Sequence, residues 1–170
     1  MKKFLMIIFI ISNLLTSVVC AENNDKIIAN LVDYKIIYKE TEFSFNDVDG
    51  KVFPVAIDGT TYLPYDAISK LFGVKISIDG SNVYIDSTPA VQVNVFNQSY
   101  IFESTSIYIN RSNEIQVMFD NEKVKFVDSV GNTVYPIYCK GKLYLPIRGV
   151  ANLLALPIKF SAETGTIYIS

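Results

Sequence analysis

The sequence predicts an α+β fold made of two related β-β-β-α-β-β repeats, with a curved antiparallel sheet packed on short helices. The main observation is a pattern at residues 59–73 that returns at residues 141–155. Each copy has a turn glycine, a short strand ending in Tyr-Leu, a proline at the first helical turn and apolar residues at helical spacing. Helices this short are marginal alone, so we expect both to be held against a sheet.

The helical spacing predicts which side chains of each helix are buried. The predicted buried faces are Ala67, Ile68, Leu71 and Phe72 in the first copy, and Val150, Ala151, Leu153 and Leu154 in the second. The two helix ends differ in sequence, because Gly73 can adopt a left-handed conformation without strain whereas Ala155 cannot. We therefore expect the second helix to end in a different turn.

Strand patterns surround both helices in the same order. Residues 34–45 and 115–126 read as hairpins that bend at 39–41 and 120–122, and strand pairs follow each helix at 75–78 with 82–85 and at 157–160 with 166–169. Further strands are predicted at 91–95 and 107–109. The resulting division is a signal peptide at 1–21, a lead-in at 22–33, repeat 1 at 34–87, connecting strands at 88–114 and repeat 2 at 115–170.

The start of the chain, from Met1 to Ala21, has the pattern of a secretory signal: a basic start, an apolar run and small residues around Ala21. Ser12 and Asn13 interrupt a run that is already shorter than a membrane span, so we expect cleavage and no membrane span afterwards. Cys20 could become lipidated, but Ser17 and Val19 replace the residues usual in lipoprotein signals, which makes this reading the weaker one. The predicted location is secreted or at the cell surface.

The charge and the cysteine content argue against nucleic-acid binding and against a disulfide within the chain. Without Lys2 and Lys3 the mature chain has 13 basic and 17 acidic residues, and an acidic chain with scattered lysines has no electrostatic footprint for nucleic acid. Only Cys139 would remain, so no disulfide can form within the chain. A free cysteine in a strand is typically a small buried apolar residue.

The residues needed for common catalytic chemistry are missing. The chain has no histidine, which removes the usual general base, the usual zinc or copper ligand and the Ser-His-Asp triad. Asp47 and Asp49 resemble the start of a calcium loop but lack its closing glutamate, so a plain turn is favoured. We predict no enzyme activity and no cofactor or metal, although a pair of carboxylates acting as a hydrolase remains an alternative.

Aromatic residues are the remaining lead toward function, with 11 tyrosines and 11 phenylalanines. Strand tyrosines are ordinary cross-strand partners, but those on an outer sheet face could form a platform for a glycan or a peptide. The residues predicted for such a ligand platform are Tyr62, Tyr84, Tyr144, Tyr168 and Arg148.

The ordered set of motifs resembles the copper amine oxidase-like N-terminal domain, also called a stalk domain, of exported bacterial proteins. The resemblance covers about residues 34–170. It rests on Asp49-Gly50-Lys51, Tyr62-Leu63-Pro64, Leu71-Phe72-Gly73 and Asp79-Gly80 in the first copy, and on Tyr144-Leu145-Pro146-Ile147-Arg148 with Leu153-Leu154 in the second. It implies a small antiparallel sheet around a helix and an accessory role without copper chemistry. The usual arginine after the proline is Arg148 in the second copy but Asp66 in the first.

These observations predict an exported non-catalytic scaffold or binding module that recognises a cell-wall glycan or another surface protein through a sheet face or edge strand. A structural component that oligomerises through exposed strand edges is the first alternative. A carboxylate-based hydrolase is the second.

Overall fold

Most of the described chain is β-strand, and it contains two short helices. The computed structural model describes residues 26–43, 54–89, 106–111, 113–139 and 141–170. The strands are β1 (Lys26–Leu31), β2 (Lys35–Tyr38), β3 (Thr41–Phe43), β4 (Val55–Ile57), β5 (Thr60–Pro64), β6 (Val74–Asp79), β7 (Asn82–Pro89), β8 (Ser106–Arg111), β9 (Gln116–Phe119), β10 (Glu122–Val124), β11 (Phe126–Val127), β12 (Thr133–Val134), β13 (Ile137–Cys139), β14 (Lys142–Pro146), β15 (Ile158–Ser161) and β16 (Thr166–Ile169). The helices are α1 (Tyr65–Phe72) and α2 (Ile147–Leu153). The α+β class is therefore confirmed.

Six of the strands form a closed antiparallel barrel in the order β1-β4-β5-β14-β13-β8. Strand β5 pairs with β14 so that Leu63 lies opposite Leu145. Strand β1 pairs with β8 so that Ile28 lies opposite Tyr108. The region 22–33, expected to be a lead-in, thus supplies a barrel strand, and the strand predicted at 107–109 is present as β8. The other connecting strand, predicted at 91–95, lies outside the described residues.

Two four-stranded sheets flank the barrel, in the orders β10-β9-β7-β6 and β15-β16-β2-β3. Each joins two hairpins that are separated in the chain, and the joining pairs, β7 with β9 and β16 with β2, are parallel. The expectation of a purely antiparallel sheet is therefore wrong at these two places. It fails because periodicity identifies strands but carries no information about which distant strand becomes the neighbour.

The two predicted hairpin bends are confirmed. Lys39 and Glu40 have φ of 48° and 66°, and Asp120 and Asn121 have φ of 47° and 69°. Two consecutive residues with positive φ make a type I′ turn, whose twist matches the twist of the flanking strands. Asp120 and Asn121 suit this conformation better than Lys39 and Glu40, because short polar side chains tolerate the left-handed region.

One large hydrophobic core draws side chains from both halves of the chain, including Ile36 and Leu63 from the first and Leu145 and Val150 from the second. In α1 the predicted buried face is confirmed at all four positions. In α2 the prediction holds for Val150 and Ala151 only. The buried positions there also include Ile147 and Gly149, whereas Leu153 and Leu154 are half-buried because the helix ends at Leu153.

The two helices end in different turns, as expected, although Ala155 does adopt the left-handed conformation. At the end of α1 the N–H of Gly73 donates to the carbonyl of Ser69, which is the single bond of the αL motif. Ala155 has a φ of 54°, close to the 68° of Gly73 at the end of α1. The N–H of Ala155 donates to the carbonyl of Asn152 at 3.1 Å, and the N–H of Leu156 donates to the carbonyl of Ala151 at 2.9 Å. These two bonds are those of a Schellman motif, which satisfies the last helical carbonyls. Its hydrogen bonds and the following Pro157 hold Ala155 in a conformation that alanine disfavours.

Gly149 allows α2 to approach the buried ring of Phe126. A Cβ at position 149 would lie 2.5 Å from Cδ1, 2.8 Å from Cγ and 2.9 Å from Cβ of Phe126. Phe126 is only 2% exposed, so its side chain has little room to move away. The glycine therefore fixes the distance between α2 and β11, which begins the segment beside the cleft described below.

A second, smaller core cluster contains barrel residues: Ala29, Val55, Ile57, Tyr62, Ile137, Cys139 and Tyr144. The predicted burial of Cys139 is confirmed, since it is 3% exposed. Tyr62 and Tyr144 are 5% and 3% exposed. Neither ring can therefore belong to a surface platform.

Candidate functional site

A cleft in the described part of the chain lies beside the edge of the sheet that contains β15. Its volume is about 490 Å³, which is within the range of small-ligand sites. Its walls come from the segment before β2, the turn between β4 and β5, the loop after β11, the start of α2, and strands β15 and β16. The residues that line it are Tyr34, Ala56, Asp58, Gly59, Thr60, Thr61, Val127, Asp128, Ser129, Val130, Pro146, Ile147, Arg148, Gly149, Ile158, Phe160 and Ile167.

Two aromatic rings form one wall of the cleft. The ring of Tyr34 lies against the ring of Phe160, with 4.9 Å between centroids and 49° between planes. Phe160 lies opposite the buried Ile167, so both project from the core side of the sheet. Phe160 nevertheless remains 39% exposed, because β15 is the outer strand in the described sheet.

The loop between β11 and β12 forms the facing wall and is held by Asp128. The Oδ1 atom of Asp128 accepts hydrogen bonds from the N–H groups of Val130 and Asn132, each at 2.9 Å. Its Oδ2 atom accepts one from the side-chain amide of Asn132 at 3.0 Å. Partial burial acts to raise the pKa of Asp128, but the hydrogen bonds from Asn132 and Val130 outweigh it and lower the pKa. The loop also contains Val130, which lines the cleft and is 79% exposed.

Arg148 is the cation of the cleft. It is half-buried in α2, and its Nη1 donates to the backbone carbonyl of Ile158 at 3.3 Å. Within the described ranges it forms no ion pair with a carboxylate. A guanidinium has five N–H donors, and one long bond to a carbonyl leaves most of them for another acceptor.

The position that the sequence aligns with Arg148 has the opposite charge and is neutralised. Asp66, at the matching place in the first copy, pairs with Lys142, with 3.1 Å between Nζ and Oδ2. Such a partly exposed pair contributes little to stability, but it leaves no unbalanced charge. The start of α1 thus carries an ion pair, whereas the start of α2 carries a cation that has no carboxylate partner among the described residues.

Two carboxylates also line the cleft, those of Asp58 and Asp128. Both also border a neighbouring cleft of about 240 Å³ that reaches Tyr135. The carboxylate oxygens of Asp128 already accept hydrogen bonds from Val130 and Asn132 of the same loop. In the part of the chain that the structure describes, no three histidine, cysteine or acidic side chains group as metal ligands, and no helix is long and apolar enough to cross a membrane.

The structure does not bring the five predicted platform residues together. Tyr62 and Tyr144 are buried in the barrel cluster, which corrects their assignment to a surface. Tyr84 and Tyr168 lie on β7 and β16 of different sheets, where Tyr84 is half-buried and Tyr168 is 41% exposed. Of the five residues, Arg148 alone lines the large cleft.

Sequence reasoning missed the other residues that define the cleft: Tyr34, Val127, Val130 and Phe160. One signal was available, because Val130 is an apolar residue inside the polar stretch 128–132. Pairing of Tyr34 with Phe160 was not foreseeable, since it depends on the parallel contact between β2 and β16. The proposed signal peptide, Cys20 and the turn at Asp47 and Asp49 all lie outside the described residues.

No protein-family model, curated protein or solved structure matches this chain.

Proposed function

We propose that this chain is an exported, non-catalytic binding module that takes up its partner in the cleft at β15. The observation that carries the proposal is the Arg148 guanidinium, which lines the cleft without a carboxylate partner among the described residues. A half-buried cation costs free energy of desolvation unless it is paired. An acceptor supplied by a ligand would therefore be favoured there.

The exposed apolar groups around Arg148 support a binding role. Val130, Phe160 and Val127 are 79%, 39% and 39% exposed, and all three line the same cleft. Apolar surface left open beside one polar anchor is typical of recognition sites, in which the apolar area supplies affinity and the anchor fixes orientation.

The proposed exported location rests on the signal pattern that ends at Ala21, and the proposed accessory, stalk-like role rests on the resemblance given above. Export is tested by mass spectrometry of the protein recovered from the culture medium of its host. A mature chain that begins at Glu22 is expected. A chain that still begins at Met1 and remains inside the cell would contradict export.

We also propose that the fold is an internal duplication, with units that begin at β1 and at β8. Matching strands of the two halves meet symmetrically, since Leu63 pairs with Leu145 and these two residues occupy the same position in the two Tyr-Leu-Pro motifs. Matching hydrogen bonds also occur where the hairpins join in the two four-stranded sheets. The N–H of Lys35 donates to the carbonyl of Gly165 at 3.1 Å, and the N–H of Gln116 donates to the carbonyl of Ser81 at 2.9 Å. Each half would then contribute its first hairpin to the sheet of the other half.

Binding is tested by retention of the purified mature protein on cell-wall material and on surface proteins extracted from cells. We expect retention of the wild type and loss for Phe160→Ser and Arg148→Gln. Ile78→Ser is the matched control, because Ile78 is also 39% exposed and the sequence aligns it with Phe160, yet it lies in the other sheet. Lys159→Gln controls for charge loss on β15. Equal retention of all four variants would contradict a role for the cleft.

A carboxylate-based hydrolase is the second and less favoured alternative, and its basis is that Asp58 and Asp128 line one cleft. Glycoside hydrolysis needs one carboxyl group with a raised pKa as the acid. The pKa of Asp128 is lowered and its oxygens accept three hydrogen bonds from its own loop, so this residue does not fit the role of acid. Release of reducing sugar from cell-wall glycan that is lost in Asp58→Asn would favour the hydrolase over the binding module.

Oligomerisation through strand edges is the first alternative to the binding module. In the described sheets β15, β3, β6 and β10 are outer strands, and an outer strand offers unpaired backbone groups to another chain. Light scattering coupled to size exclusion separates this idea from the others. A mass that stays that of one chain at every concentration would contradict it.

A further inference from the structure

The backbone of β15 is open along the cleft. The N–H of Ser170 donates to the carbonyl of Pro157 at 3.2 Å, and the register then continues with Lys159 opposite Tyr168 and Ser161 opposite Thr166. Because backbone groups alternate in direction along a strand, Lys159 and Ser161 face β16. Ile158 and Phe160 face away from β16, toward the side without a neighbouring strand in the described sheet.

The side chains and the open backbone groups of Ile158 and Phe160 therefore border the same space. Both side chains line the cleft, and both backbones face the free edge. The contact from Arg148 to the carbonyl of Ile158 agrees with this direction, since a carbonyl directed toward β16 would be paired within the sheet. An extended peptide could thus pair with β15 and place alternate side chains against Phe160 and Val130.

The edge is closed at one end. The N–H of Leu156 already donates to the carbonyl of Ala151 at 2.9 Å, and Arg148 already donates to the carbonyl of Ile158. A peptide strand antiparallel to β15 could pair with Phe160 and with the N–H of Ile158 but could not continue past that point. The end of such a strand would lie at the guanidinium, where a terminal carboxylate could accept charge-assisted hydrogen bonds.

We propose that the cleft binds the free carboxyl terminus of an extended peptide, which adds to the edge of β15 and places its carboxylate on Arg148. This inference rests on the proposed binding function and names its ligand. Asp58 and Asp128 on the other walls favour a ligand with one carboxylate over a polyanion, because a polyanion would place further negative charge beside them.

The test uses the mature protein immobilised on a resin and a mixture of acetylated hexapeptides that are random at their last four positions. One half of the mixture ends in a free carboxylate and the other half in an amide. We expect at least about tenfold enrichment of the acids, as for the loss of one charge-assisted contact, with apolar residues at alternate positions. Arg148→Gln should bind acids and amides equally, while Lys159→Gln should keep the preference.

A second measurement follows hydrogen exchange at single amides with a bound peptide from the enriched pool. The N–H of Phe160 should exchange more slowly in the complex, whereas the amides of the outer strand β6 should not change. Equal capture of acids and amides by the wild type, or capture without slower exchange at Phe160, would overturn the inference. If the protein captures no peptide but is retained on cell-wall glycan in a way that depends on Phe160, the peptide ligand is wrong and the proposed binding function stands. If the protein captures no peptide and is not retained on cell-wall material, the peptide ligand and the proposed binding function are both contradicted.

Discussion

At the scale of single residues, the backbone conformation of Ala155 costs stability. Its φ of 54° brings Cβ close to the carbonyl oxygen, and glycine avoids that contact. We expect Ala155→Gly to raise the free energy of unfolding by about 0.5–1 kcal/mol, because the strain removed exceeds the added entropy of the unfolded chain. Urea denaturation measures the change. Gly73→Ala, at the end of α1, is the reciprocal variant and should lower the free energy of unfolding by about 1 kcal/mol. If Ala155→Gly lowered the free energy of unfolding, Ala155 would not be strained.

Gly149 is the second residue whose identity follows from a contact. Alanine usually stabilises a helix relative to glycine by about 1 kcal/mol, but here the new Cβ would lie 2.5 Å from the ring of Phe126. Overpacking of this kind costs about 1–3 kcal/mol, so we expect Gly149→Ala to be destabilising. Asn152→Ala, at an exposed position of α2, controls for helix propensity and should change stability by less than about 0.5 kcal/mol. Stability of Gly149→Ala equal to or above that of the wild type would show that Phe126 can move.

At the scale of elements, the two helices are not buried to the same depth. Leu71 is 3% exposed, whereas Leu153 is half-buried at the last turn of α2. Truncation of a buried leucine costs about 2–5 kcal/mol, so we expect that loss for Leu71→Ala and about 1–2 kcal/mol for Leu153→Ala, in proportion to the smaller area removed from water. Thermal and urea unfolding of both variants measure the difference. Equal losses would mean that the end of α2 is packed as tightly as α1.

The loop between β11 and β12 should respond to acid. Since the folded pKa of Asp128 is lowered, its carboxylate stabilises the folded state above the unfolded pKa of about 3.9, and this contribution is lost as pH falls through the folded value. Asp128→Asn should therefore be less stable than the wild type at pH 7, and the difference should shrink in strong acid. Urea denaturation from pH 7 to pH 2 measures it. A difference that is independent of pH would assign the effect to packing and not to charge.

Element identity was the part of the fold that local patterns predicted well. Residues 67–72 carry the complete buried face of α1, and the bends at Lys39 and Asp120 occur where turn signals interrupt alternating strands. The different turn at the end of α2 was predicted, but the left-handed conformation of Ala155 was not, because its local strain is overcome by the hydrogen bonds of the helix end. The strand at Lys26–Leu31 was not recognised, since its apolar residues fit helix and strand spacing about equally.

At the scale of the whole molecule, the candidate site depends on contacts that no local pattern contains. Tyr34, Asp58, Val130 and Phe160 come from four separate segments, and they meet because β2 pairs with β16 and α2 packs beside β11. The sequence identified Arg148 through its place in a repeated motif. It also suggested tyrosines as ligand residues, but two of the four belong to the barrel core, because alternation alone does not say which face of a strand is covered.

Each four-stranded sheet combines hairpins from both halves of the chain, and this makes the two halves depend on each other for stability. Ile36 of β2 is fully buried in the common core and pairs across the parallel contact with Ile167. We expect one cooperative unfolding transition. We expect Ile36→Ala to lower the free energy of unfolding by about 2–5 kcal/mol.

Native-state hydrogen exchange of the Ile36→Ala variant provides the sharper measurement. Amides of β6 and β7 should lose as much protection as those of β15 and β16, although Ile36 belongs to the latter sheet. Ile37→Ala, at the half-buried neighbouring position, should have a smaller effect on both sheets. Loss of protection confined to β15, β16 and β2 would show that the sheets unfold separately and that the shared core does not couple the two halves.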